Sequence, residues 1–146
     1  MTSSIPNGTA SIASTKPIEI AFPLPRAPQT NIHLQLTNNA TSVLIFLTTT
    51  SGESSTTSAP LGSFVYAMPN RTSPSNTLST PLYTHSGNLD FTTRLAKLLA
   101  RKLARPVYVG NSISFASAGM GGTVEEEMEG FRRCVEVITG LLEKNG

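Results

Sequence analysis

A chain of 146 residues with 38% apolar and only 14% charged residues suits one domain around a single core, with Ser/Thr-rich segments left outside it. The formal charge of +2 is too small to point to nucleic acid, and a single cysteine, Cys134, excludes an internal disulfide and a cysteine-built zinc site. No basic leader followed by an apolar stretch opens the chain, and no apolar run approaches the ~18 residues of a membrane span, so the cytosol or nucleus is expected and no membrane.

Residues 1–16 are small and polar and read as a disordered arm, which leaves 17–146 as one folded domain. Ile18–Phe22 alternates and is closed by Pro23 and Pro25, the pattern of a strand. Ile32–Leu36 alternates strictly, as a strand with one wet face does, and Asn38-Asn39 signals a turn. Val43-Leu44-Ile45-Phe46-Leu47 is apolar without a break, so a central strand covered on both faces is expected. Residues 49–60 are low-complexity and read as a flexible loop. Phe64–Met68 is a further strand. A second Ser/Thr/Pro-rich loop, 70–81, leads into a short strand at Leu82-Tyr83.

Helical periodicity begins at Asn88, a capping residue type, and runs to about Ala104, where Pro106 restricts the chain. Phe91, Leu95, Leu99 and Leu103 form its apolar stripe, widened by Thr92, Ala96 and Leu98. Val107–Val109 is a strand that Asn111–Ile113 continues. Thr123 to Asn145 is the second helix, opened by the capping box Thr123-Val124-Glu125-Glu126. Glu125, Glu126 and Glu127 complement the dipole and read as solvated. Val124, Phe131, Val135, Ile138 and Leu142, with Met128 and Cys134 beside them, make its buried stripe. The order is five strands, helix, strand, helix: an α+β protein with largely antiparallel pairing.

Little in the chain can make or break a bond. Gly119-Met120-Gly121-Gly122 lies between a strand and a helix, the order of a nucleotide-binding turn, and a small nucleotide-binding or enzymatic domain is the alternative reading. The spacing fits neither phosphate motif, and three glutamates occupy the turn where a phosphate would sit. Two like charges about 5 Å apart cost on the order of 3 kcal/mol at an effective dielectric near 20. His33 and His85 have no nucleophile motif beside them. Cys134 has Arg132 and Arg133 as neighbours, yet its place on the apolar side of a helix points to an inert, buried thiol. The protein is read as not an enzyme.

The strongest surface signal is basic. Residues 94–105 hold five of the eleven Lys and Arg residues and no acid. Arg94, Lys97, Arg101 and Arg105 follow at intervals of 3, 4 and 4, one helical face about 16 Å long at 1.5 Å per residue. Such a face is either simply solvated or docks against an acidic protein surface. Nucleic acid fits less well, because no aromatic residues interleave with the charges.

Thr92 through Lys102, followed by Arg105-Pro106-Val107-Tyr108-Val109-Gly110-Asn111, resembles the proteasome assembly chaperone 4 family. Val43–Leu47, Leu61–Pro69 and Glu125–Phe131 resemble its central strand pair and the start of its last helix. The likeness spans roughly residues 30 to 145, and the helix–strand stretch is its specific part. It implies a six-stranded antiparallel sheet with two helices, no cofactor and no reaction. It also implies a heterodimer with a proteasome assembly chaperone 3-like partner that binds 20S α-subunits, notably α5, and promotes α-ring formation. On that reading Ile32 and Leu34, and Phe64 and Tyr66, are candidates for the surface that meets the partner. Arg94, Lys97, Arg101 and Arg105 are the candidates for an α-subunit.

Overall fold

The computed structural model describes residues 16–24, 27–51, 62–73, 75–85, 87–113 and 124–145. In chain order the elements are β1 (Ile18–Leu24), β2 (Ala27–Asn38), β3 (Val43–Ser51), β4 (Ser63–Met68), β5 (Leu78–Tyr83), α1 (Leu89–Leu103), β6 (Val107–Asn111) and α2 (Val124–Asn145). The strands form one six-stranded sheet in the order β1-β2-β3-β6-β4-β5. Every pairing is antiparallel except β3 with β6. That exception follows from α1. The helix carries the chain back along the sheet, so β6 runs in the direction of β5 and enters between β3 and β4.

Register decides which side chains share a face. Ile18, Ile20 and Phe22 of β1 stand opposite Leu36, Leu34 and Ile32 of β2. The same face continues through Ile45 and Leu47 of β3, Val107 and Val109 of β6, and Val65 and Ala67 of β4. Phe91, Leu95 and Leu99 of α1 and Cys134, Ile138 and Leu142 of α2 close over it, and together these residues form the buried core, with Ile18 and Ile20 half-buried at its margin. Fully burying one such side chain contributes ~1.5–3 kcal/mol, so this helix–sheet layer dominates stability.

Several expectations are revised. β5 begins at Leu78, inside the stretch read as loop, because pairing with β4 overrides the weak strand propensity of Ser79 and Thr80. β3 is central, but only Val43, Ile45 and Leu47 are buried; Leu44 and Phe46, on the side without helices, are half-buried. On α2 the buried line is Glu126, Gly130, Cys134, Ile138 and Leu142, four residues apart throughout. Phe131 and Val135 lie at its margin, Met128 is 60% exposed, and Glu126 is buried rather than solvated. Thr123, and so the capping box, lies outside the described residues, as does most of the 49–60 loop.

Asn88 does occupy the N-cap of α1, without a capping hydrogen bond from its side chain. Its Oδ1 instead accepts from the Ser63 hydroxyl at 2.7 Å, while Ser63 Oγ accepts from the His85 N–H at 2.9 Å. Asn111, buried at the end of β6, donates from Nδ2 to Thr92 Oγ1 at 3.2 Å and accepts from the Ile113 N–H at 2.9 Å. Gly62 precedes β4 with φ +70, and a Cβ there would collide with the Asn111 carbonyl. Polar side chains thus tie the start of α1 to the ends of β4 and β6.

Candidate functional site

The sheet has a second face, and no described helix lies on it. Its rungs follow from the same register. Leu44, Tyr108 and Tyr66 stand side by side across β3, β6 and β4, and Phe46, Gly110 and Phe64 form the next rung. Tyr83 of β5 pairs with Phe64, and Leu78 with Met68. Gly110 puts no side chain between its neighbours, and the Phe46 and Phe64 rings stack across it with centroids 5.9 Å apart. Phe64 lies 6.1 Å from Tyr108, which lies 4.7 Å from Tyr66. Aromatic pairs at these separations contribute ~0.5–1.5 kcal/mol beyond area burial, so the array is a preformed surface.

Exposure rises toward the β5 edge, with Met68 at 38%, Leu78 at 51% and Tyr83 at 59%. No charged residue interrupts the face on β3, β6, β4 or β5 among the described residues. Its β1–β2 half is polar, carrying Glu19, Asn31, His33 and Gln35, with the His33 ring 2.7 Å from Thr50 Oγ1. A shallow groove of about 690 Å³ lies where the halves meet, beside Ala21, Phe46 and Thr48.

The residues singled out in the sequence fall into different places. Phe64 and Tyr66 lie on this open face, half-buried among their neighbours. Ile32 and Leu34 do not: at 0% and 2% exposure they are core residues beneath the helices. Strict alternation reveals the period of a strand but not which side the helices will take, and on β2 the outward residues are Asn31, His33 and Gln35. Phe46 and Tyr108 were missed. For Phe46 the unbroken apolar run of β3 held the signal, since it asks for two covers and the described fold supplies one; Tyr108, on β6, joins it only through the pairing of the two strands.

The basic face of α1 is also divided. Arg94 Nε lies 3.2 Å from Asp90 Oδ2, and the guanidinium sits over the Phe131 ring at 5.4 Å. Arg105 Nη1 donates to Asn38 Oδ1 and to the Asn39 carbonyl, both at 2.9 Å, and so clamps the β2–β3 turn. Lys97 and Arg101 remain exposed at the surface.

Reactive chemistry finds little foothold. Cys134 is fully buried, and desolvation pushes its thiol up to about 12 against a smaller opposing effect of Arg133. Among the described residues no three His, Cys, Asp or Glu side chains gather as a metal site, and no helix is long and apolar enough to cross a membrane. Gly119–Gly122 lies outside the described residues.

These features define an α+β protein with one sheet face layered by helices and the other presenting aromatic side chains to the outside. The family model for proteasome assembly chaperone 4 matches residues 31–113, more than half of the chain. The chain belongs to that family, and its role is that of a proteasome assembly chaperone. Among solved structures it is similar to a chain of a novel chaperone complex for yeast 20S proteasome assembly. The two are 17% identical, the match covers 86% of this chain and 95% of that one, and the TM-score is 0.63. Comparison with curated proteins returns no match.

Proposed function

We propose that this chain pairs through its open sheet face with a proteasome assembly chaperone 3-like partner. The pair binds 20S α-subunits, α5 among them, and promotes α-ring formation without catalysing a reaction. It works in the cytosol and nucleus. The observation that carries the reading is the aromatic array of Phe46, Phe64, Tyr66 and Tyr108, continuous with Met68, Leu78 and Tyr83. A contiguous apolar surface of this kind belongs against another protein. Because it carries no charge on its β3–β5 half, covering it leaves no ion buried without a partner.

The face is a better docking surface than either sheet edge. β1 carries Pro23 and β5 carries Pro81, and a proline removes one backbone donor from the row an added strand would need. The helical side, with Lys97 and Arg101 outermost, points away from the open face and is left for α-subunits. A partner on each side of the sheet would not compete.

Co-expression with a proteasome assembly chaperone 3-like protein tests the pairing. Tyr66→Asp and Tyr108→Asp place a carboxylate in the array and are expected to abolish co-elution in size-exclusion chromatography. Glu19→Gln, on the polar half of the same face, should co-elute unchanged. Co-elution of both Asp variants at wild-type level would remove the open face from the account.

A further inference from the structure

A notch opens between the C-terminal ends of α1 and α2, on the helical side of the molecule. It encloses about 340 Å³; Leu103, Leu142 and Thr139 line it, together with Lys102, Arg105 and Glu143. Arg105 is its unusual member. Two neutral oxygens hold Nη1, each at 2.9 Å, which fixes the plane of a half-buried guanidinium. Neither Arg105 nor Lys102 has a carboxylate partner among the described residues. The negative end of the α1 dipole accounts for cations at this end of the helix. It does not account for two of them converging on a concavity lined with leucine. A guanidinium oriented in advance by neutral groups keeps its remaining N–H donors and its full charge for an incoming carboxylate, which it can grip through two parallel bonds.

We propose that this notch receives an acidic side chain flanked by an apolar one from a 20S α-subunit. The carboxylate meets Arg105 and Lys102, and the apolar neighbour rests on Leu103, which is half-buried at the rim of the notch. The inference rests on the assembly role proposed above and names the contact through which that role is exercised. Glu143 repels a second carboxylate or a phosphate backbone from the notch, so a single acid beside an apolar group fits where a run of anions does not. Lys97 and Arg101, farther back on α1, extend the positive field and steer the approach.

The test is binding of purified α5 to the chain paired with its sister chaperone, followed kinetically at low and high salt. Lys102→Glu is expected to weaken binding by about tenfold at low salt, with the difference narrowing as salt rises. Arg105→Lys keeps the charge but loses the fork, and it too should weaken binding; its melting temperature is read alongside because Arg105 also clamps a turn. Sister pairing should be unchanged in both. Wild-type kinetics for Lys102→Glu would overturn the inference. So would a loss confined to Lys97→Glu/Arg101→Glu, which would transfer the contact to the exposed stripe, or a loss seen with duplex DNA in place of α5. If the wild-type pair binds no α-subunit at all, the assembly reading itself falls.

Discussion

Gly62 and Ala104 both adopt positive φ, at 70 and 56, but only one of them is a glycine. At Gly62 a side chain would collide with backbone of β6, so Gly62→Ala should cost more than ~2 kcal/mol, read as a fall in the denaturation midpoint. Ala104 ends α1 in the left-handed conformation at a cost of ~1 kcal/mol, and Ala104→Gly should recover about that much. Cys134 predicts a pH effect. Its thiol stays protonated in the fold up to about 12, whereas the unfolded chain ionises near the ordinary thiol value of 9.0. The unfolded state therefore binds fewer protons between those values, and stability falls as pH rises through that window at up to about 1.4 kcal/mol per unit. Cys134→Val should flatten that part of the stability profile. The inert thiol was legible from its helical neighbours. The use of Asn88 by Ser63, rather than as a cap, was not, because the hydroxyl arrives from 25 residues away.

The elements themselves were largely written in the local pattern, and their pairing was not. Alternation located β1 and β2, and an unbroken apolar run located β3. Nothing near β6 announces that it will slide between β3 and β4, since that depends on where α1 returns the chain. β5 was half hidden because Ser79, Thr80 and Pro81 are poor strand formers, and an edge strand tolerates them. That composition has a use. Pro81 leaves a gap in the donor row of an edge whose Leu78, Leu82 and Tyr83 are all more than half exposed. Pro81→Val should preserve the fold by circular dichroism yet raise self-association in light scattering, as the edge becomes a continuous template.

At the scale of the molecule, the site emerges only when register aligns residues from four strands. Phe46, Phe64, Tyr66 and Tyr108 lie up to 62 positions apart in sequence; Phe64 and Tyr66 are surface candidates from the sequence, whereas Phe46 and Tyr108 read as ordinary core residues. What could be inferred beforehand was a mismatch: β3 is apolar on both sides, and two helices of this length cover one side of a six-stranded sheet. The family resemblance filled that gap with a partner chain. The sequence also placed four cations on α1 as one continuous stripe, because helical geometry alone cannot foresee that Asp90 takes Arg94 and the β2–β3 turn takes Arg105.

The chain has three tyrosines and no tryptophan. Tyr66, Tyr83 and Tyr108 all stand on the open sheet face. Emission excited at wavelengths that phenylalanine does not absorb therefore originates from that single surface, with no background from the core or the helices. A companion without tyrosine or tryptophan, titrated against it, would be watched arriving without any dye, and one that settled on the helices instead would leave the glow untouched.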